Sequence, residues 1–180
     1  MATTIEPGDI RRGDMFWYDF PVYGDPKYAH LLRGPHRVLV VQNNAANGRS
    51  AHDKVIVCPV STAREKHLDP AGGPRRAFQA LLGPSDCVGD EPLDHDSIVH
   101  LEEMYTLSKA DCRQRLCAIT PEALKRVNRA LVVSLDLANG VTAEALDRLY
   151  EAQKALEEVV DRFVEAWQPI RDTIRQLPDS

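Results

Sequence analysis

Long apolar runs are missing from this chain. No stretch approaches the roughly 18–20 residues needed to span a bilayer, so no membrane partner is expected. Cysteine is scarce: Cys58, Cys87, Cys112 and Cys117 stand alone in 180 residues, without a CxxC pair or a dense framework. That argues against a disulfide-stapled scaffold, and the four read as free thiols with Cys58 buried in a strand. The pairs Cys112/Cys117 and His95/His100 lack good zinc spacing and read as strand or loop residues, so no metal or cofactor is expected. A Gly-rich phosphate loop, a Gly-x-Ser-x-Gly elbow and a His-Glu-x-x-His pair are all absent. Residues 1–10 hold two acids and no basic, apolar leader pattern, which points to a cytoplasmic protein.

Cation excess is lacking as well. The net charge is −5, which weighs against a non-specific nucleic-acid binder. The distribution softens that objection: residues 141–180 carry nine acids and five bases, leaving 18 acids and 17 bases in residues 1–140. The body is nearly neutral and the tail is acidic. With 43% apolar residues the chain reads as soluble and globular, large enough for one well-packed domain and an appendage.

What is present is a series of short β-type segments followed by two helical ones. Gly13-Asp14 forms a turn before the aromatic strand Met15 to Phe20. Residues 21–36, with three prolines and two glycines, are expected to form a long loop. Strands are expected at 37–42, 54–61, 76–82, 97–101, 104–107 and 116–119, separated by Gly/Pro/Asp-rich loops at 63–75 and 83–95. Thr120-Pro121-Glu122 then supplies an N-cap, a first-turn proline and an acid. Leu124, Val127, Leu131 and Leu135 repeat at helical spacing toward an end near Asn139-Gly140. A second helix is expected after Thr142, with Leu146, Leu149, Leu156, Val160, Phe163, Trp167, Ile170, Ile174 and Leu177 on a heptad-like seam and Pro169 kinking or splitting it. The division expected is a domain over 1–140 and an acidic amphipathic helical extension over 141–180.

The chemistry concentrates in two segments, Arg37 to Asn44 and Val55 to Thr62. Paired antiparallel across a turn at 43–54, they bring His36 and Arg37 to the same sheet edge as Ser61 and Thr62. A guanidinium, an imidazole and two hydroxyls can there bind a phosphate and move a proton.

The order of these pieces resembles the MazF/PemK family of toxin endoribonucleases. The likeness runs through Arg12-Gly13-Asp14-Met15-Phe16-Trp17, Arg37 to Asn43, Val55 to Ser61 and Asp96 to Glu102, and ends in the helix from Thr120 to Leu135. It implies a mostly β fold, an SH3-like or CcdB-like compact barrel with C-terminal helices, usually a homodimer. It also implies metal-independent cleavage of single-stranded RNA, restrained by a cognate antitoxin. The family's catalytic arginine falls on Arg37 if one deletion is allowed and on His36 without a gap; Arg37 is favoured, with His36 as general acid or base. The family's Ser/Thr falls on Ser61, with Thr62 in reserve, binding the phosphate rather than attacking it. RNA contacts are carried over to Arg12, Asn43, Glu103 and Tyr105, where Tyr105 can stack a base.

The chain departs from that pattern. No proline follows Arg37, and Glu103 and Tyr105 stand where the family has a neutral hydrogen-bonder and a cation. These departures support an alternative, a toxin-like barrel that has lost chemistry and binds a protein, as the CcdB fold does. The acidic tail is a candidate built-in brake or an added dimer contact.

Overall fold

The computed structural model describes residues 3–22, 32–49, 51–137 and scattered positions from 145 to 167. The chain divides into two compact units, Met1–Ala138 and Asn139–Ser180. In the first, nine strands form one antiparallel sheet: β1 Thr3–Thr4, β2 Asp14–Phe20, β3 Gly34–Val40, β4 Lys54–Thr62, β5 Gln79–Leu82, β6 Cys87–Val88, β7 Ser97–His100, β8 Tyr105–Ser108 and β9 Gln114–Ile119. Seven of them follow the path β1-β9-β2-β3-β4-β7-β5 and curl into a nearly closed barrel, with β6 on β9 and β8 on β4. Mostly β with a helix after the barrel is the fold class expected. Among the described residues no helix is long and apolar enough to cross a membrane.

Strand alternation explains both sides of this sheet. Successive side chains point to opposite faces, and cross-strand partners share one. On one face Met15, Leu39, Cys58, Val60 and Val99 pack with Ala123, Val127 and Ala130 of the helix α2, Pro121–Ser134. On the other, Phe16, Phe20, Val38, Val40, Val55 and Val57 pack with Ile10 and Leu107. Full burial of a side chain such as Leu39 or Phe16 contributes about 1.5–3 kcal/mol each. Cys58 and Cys112 are buried thiols, and burial pushes each up to about 12.

Several boundaries differ from the sequence expectation. His36 lies inside β3 rather than in a loop, because the ladder with β2 runs on through Tyr18↔His36 to Phe20↔Gly34. Gly34, at φ +73°, turns the chain into that ladder. The strand expected from Arg76 begins only at Gln79, where pairing with His100 starts. Thr120 caps α2 through Ala123 N–H at 3.3 Å, but the helix stops at Ser134, short of Asn139-Gly140. Asp136, at φ 52°, takes up a left-handed backbone conformation just past that end, and Leu135 is exposed.

The cysteine expectation also needs correcting. Cys87 and Cys117 form a disulfide, Cα atoms 5.9 Å apart, tying β6 to β9. Gly89 lets the chain pass this point, since a Cβ there would sit 2.5 Å from the Cα of Cys117. Free-thiol status holds only for Cys58 and Cys112.

In the second unit the described positions are helical, with Leu156, Val160, Phe163 and Trp167 exposed. Phe163 and Trp167 stack with centroids 6.4 Å apart. Leu146, Leu149, Pro169, Ile170, Ile174 and Leu177 lie outside the described residues.

Candidate active site

β3 and β4 pair from Val40↔Val57 to Arg37↔Val60 and then separate. Past that point β3 stays with β2 while Ser61 and Thr62 pair with Ile98 and Ser97 of β7. A cleft of about 600 Å³ opens over the fork, lined by His36, Arg37, Ser61 and Thr62 together with Trp17, Arg64, Lys66, His67, Asp94 and His95. All four residues expected to be catalytic therefore border one space. Arg37, Arg64 and Lys66 face it with a single carboxylate, Asp94, so this region is cationic in a chain that is acidic overall.

Alternation along the strands divides the four between two faces. Arg37 pairs with Val60, which places it on the same face as Thr62 and opposite to Ser61. Its guanidinium lies 5.4 Å from the Trp17 ring centroid and donates to Pro92 O at 3.2 Å. Ser61 shares its face with His36, His100 and Gln79. His36 sits edge-on to Phe20 at 5.9 Å. The ungapped alternative of the sequence comparison, with His36 at the arginine position, is thus the one whose side chain shares the Ser61 face.

Each hydroxyl ends a short polar chain whose members are far apart in sequence. Ser61 Oγ is 2.8 Å from His100 Nε2. His100 Nδ1 lies 3.4 Å from Glu102 Oε1 and 3.3 Å from Gln79 Nε2. Gln79, almost fully buried, donates to Glu102 Oε1 at 2.5 Å. Thr62 Oγ1 is 2.8 Å from His95 Nε2, whose Nδ1 is 2.7 Å from Asp94 Oδ1. His67 sits 6.1 Å from His100 between ring centroids, and partial burial, then Lys66, His100 and Arg64, lower its pKa.

The residues expected to bind RNA are scattered. Arg12 donates to Asn128 Oδ1 at 2.6 Å, against α2. Asn43 caps a four-residue helix α1, Asn44–Asn47, by accepting from Ala46 N–H at 2.9 Å. Tyr105 packs edge-on to Phe20 at 4.8 Å, so its ring is engaged in the second apolar cluster and does not border the cleft. Glu103 borders a smaller cleft of about 260 Å³ with Lys66, His67, Arg75, Arg76, His100 and Glu102.

Comparison with known proteins agrees with this architecture. The profile of PemK-like, MazF-like toxins of type II toxin-antitoxin systems matches residues 11–135. The endoribonuclease MazF of Staphylococcus saprophyticus subsp. saprophyticus is 28% identical over 129 residues, covering 71% of this chain and 92% of that protein. An endoribonuclease solved in complex with its cognate antitoxin, from a mycobacterial species, is 25% identical, with TM-score 0.49 over 71% of this chain and 96% of that one. MazF from Deinococcus radiodurans is 19% identical, with TM-score 0.48 over the same shares of the two chains. With the profile spanning most of its length, from the turn before β2 to the end of α2, this chain belongs to the PemK-like, MazF-like toxins of type II toxin-antitoxin systems.

Proposed function

We propose that the chain is an endoribonuclease that cleaves single-stranded RNA without a metal, the RNA's own 2′-hydroxyl attacking the adjacent phosphate. The observation that carries this reading is the cationic cleft at the β3/β4 fork, where hydroxyls, imidazoles and a guanidinium border one space. In the reaction a 2′-O–P bond forms and the P–O5′ bond breaks. A 2′,3′-cyclic phosphate and a 5′-hydroxyl result. The proton leaving the 2′-hydroxyl passes to His36, and solvent water supplies the proton taken up by the departing 5′-oxygen. Arg37 and Ser61, from opposite faces, neutralise and bind the phosphate oxygens, with Thr62 at the rim.

Residues 1–140 are proposed to hold this activity, and 141–180 to restrain it or to add a dimer contact. A homodimer and a cognate antitoxin are the protein partners proposed, by analogy with the mycobacterial relative solved with its antitoxin. The direct test is incubation of purified protein with single-stranded RNA in EDTA. New 5′-hydroxyl ends support the reading, and RNA left intact with and without EDTA rejects it.

One observation favours a second reading, binding a protein without cleavage. Glu102 and Glu103 place two carboxylates beside Lys66, Arg75 and Arg76 in the smaller cleft, offsetting most of its positive charge and giving it the mixed charge of a protein-binding surface. Toxicity in cells that survives both His36→Ala and Ser61→Ala supports that reading over the nuclease.

A further inference from the structure

Ser61 can serve a phosphate in one useful way only if its hydrogen is free to be donated. Its partner decides whether it is. The hydroxyl oxygen lies 2.8 Å from His100 Nε2, so either Ser61 donates into a bare nitrogen or the imidazole N–H donates to Ser61. In the first case the hydroxyl hydrogen is consumed inside the protein. In the second it is left pointing outward.

The far side of the ring bears on this choice. An ionised carboxylate only accepts, so Glu102 requires a donor from Gln79, which fixes that amide with its NH₂ toward Glu102 Oε1 at 2.5 Å. The same NH₂ group has a second hydrogen, and His100 Nδ1 lies 3.3 Å from it. Nδ1 has two partners, the Gln79 NH₂ at 3.3 Å and Glu102 Oε1 at 3.4 Å; when it accepts from the buried Gln79, the neutral imidazole carries its proton on Nε2, facing Ser61. When the ring is protonated, Nδ1–H faces Glu102 at 3.4 Å and Nε2–H still faces Ser61. These two states leave Ser61 accepting from the ring and its own hydrogen available to the cleft, whereas a neutral ring donating from Nδ1 to Glu102 takes that hydrogen up.

We infer that His100, set by Gln79 and Glu102, is a positioning residue that makes Ser61 a dedicated donor to an anionic phosphate oxygen. The role rests on the nuclease reading above. The Thr62–His95–Asp94 chain has similar chemistry but not the same setting. The side chains of His95 and Asp94 are 47% and 76% exposed, against 18% and 26% for His100 and Glu102. Water competes for every bond in the exposed chain and screens its charges.

The test joins a tautomer measurement to a double-mutant cycle. Long-range ¹H–¹⁵N NMR on the full chain is expected to show His100 with its proton on Nε2. In steady-state RNA cleavage, His100→Leu is expected to lower kcat about tenfold, the worth of one aligned hydrogen bond, with KM within about twofold. His100→Gln restores an N–H donor and recovers to within about threefold of wild type. In a Ser61→Ala background, His100→Leu costs nothing further, because the two act as one unit. A neutral Nδ1–H tautomer overturns the role. So does a wild type that cleaves RNA while His100→Leu cleaves equally well, or a His100→Leu loss undiminished in Ser61→Ala. A wild type that leaves RNA intact is a different failure, removing the nuclease reading and this role with it.

Discussion

Two hydroxyl–imidazole–carboxylate chains meet at one cleft, and they differ in burial rather than in chemistry. Ser61, His100 and Glu102 are backed by the buried Gln79; Thr62, His95 and Asp94 stand largely in water. The same hydrogen bond holds a rotamer more firmly where water has less access and is one of several exchangeable options where it has more. Neighbouring strand positions therefore contribute unequally, and strand parity puts His36 on the Ser61 face and Arg37 on the Thr62 face.

The largest expected effect is on the Ser61 face. His36→Ala is expected to slow RNA cleavage about 1,000-fold as loss of a general base, measured under single-turnover conditions. Arg37→Ala is expected to cost about 100-fold as loss of a charge on the phosphate. The reverse order breaks the comparison and assigns the family's arginine position to Arg37. Among the cleft's cations, Lys66→Ala should reduce the slope of log affinity against log salt by about 0.7, the value for one contact on a single strand. His67→Ala should leave that slope unchanged at neutral pH, because its lowered pKa keeps the ring uncharged there. Binding titrations over a salt series separate the two. Smaller still, His95→Ala should change cleavage by no more than about twofold and stability by less than about 0.5 kcal/mol, read from rates and denaturant midpoints. A tenfold loss for that variant means that burial does not distinguish the chains.

The thiols extend the same contrast to the core. With Cys58 and Cys112 pushed up to about 12 by burial and Cys87 bonded to Cys117, the native protein should titrate no reactive thiol at pH 8. Denaturation without reductant should reveal two, and with reductant four, by a thiol-reactive dye. Prompt labelling of the native protein contradicts the packing of both cores.

Much of this molecule was legible in its residue order. β-Branched runs bounded by turn residues located β3, β4 and β7, and Thr120-Pro121-Glu122 marked the start of α2. Pairing of β3 with β4 brought His36, Arg37, Ser61 and Thr62 to one edge, as expected from two adjacent apolar segments. Contacts made across long loops were not legible. His100 lies 39 residues from Ser61 and His95 lies 33 from Thr62, so nothing local joins them, and their own spacing marks them only as strand or loop residues without a zinc pattern. The Cys87–Cys117 bond spans 30 residues and depends on β6 lying against β9, a pairing two residues long. Charge favours Arg37 over His36 at the arginine position, while strand parity, which requires the register, places His36 on the Ser61 face. The end of α2 was misjudged because Leu135 continues the apolar spacing although the next residue, Asp136, is already left-handed.

The measurement that tests the account most directly is the rate of 2′,3′-cyclic phosphate formation in EDTA by wild type, Ser61→Ala and Thr62→Ala on the same RNA. A loss of about 100-fold for Ser61→Ala, as expected for removal of a single preorganised donor, beside no more than about threefold for Thr62→Ala, is the predicted result. Equal losses, or the greater loss at Thr62, would contradict it.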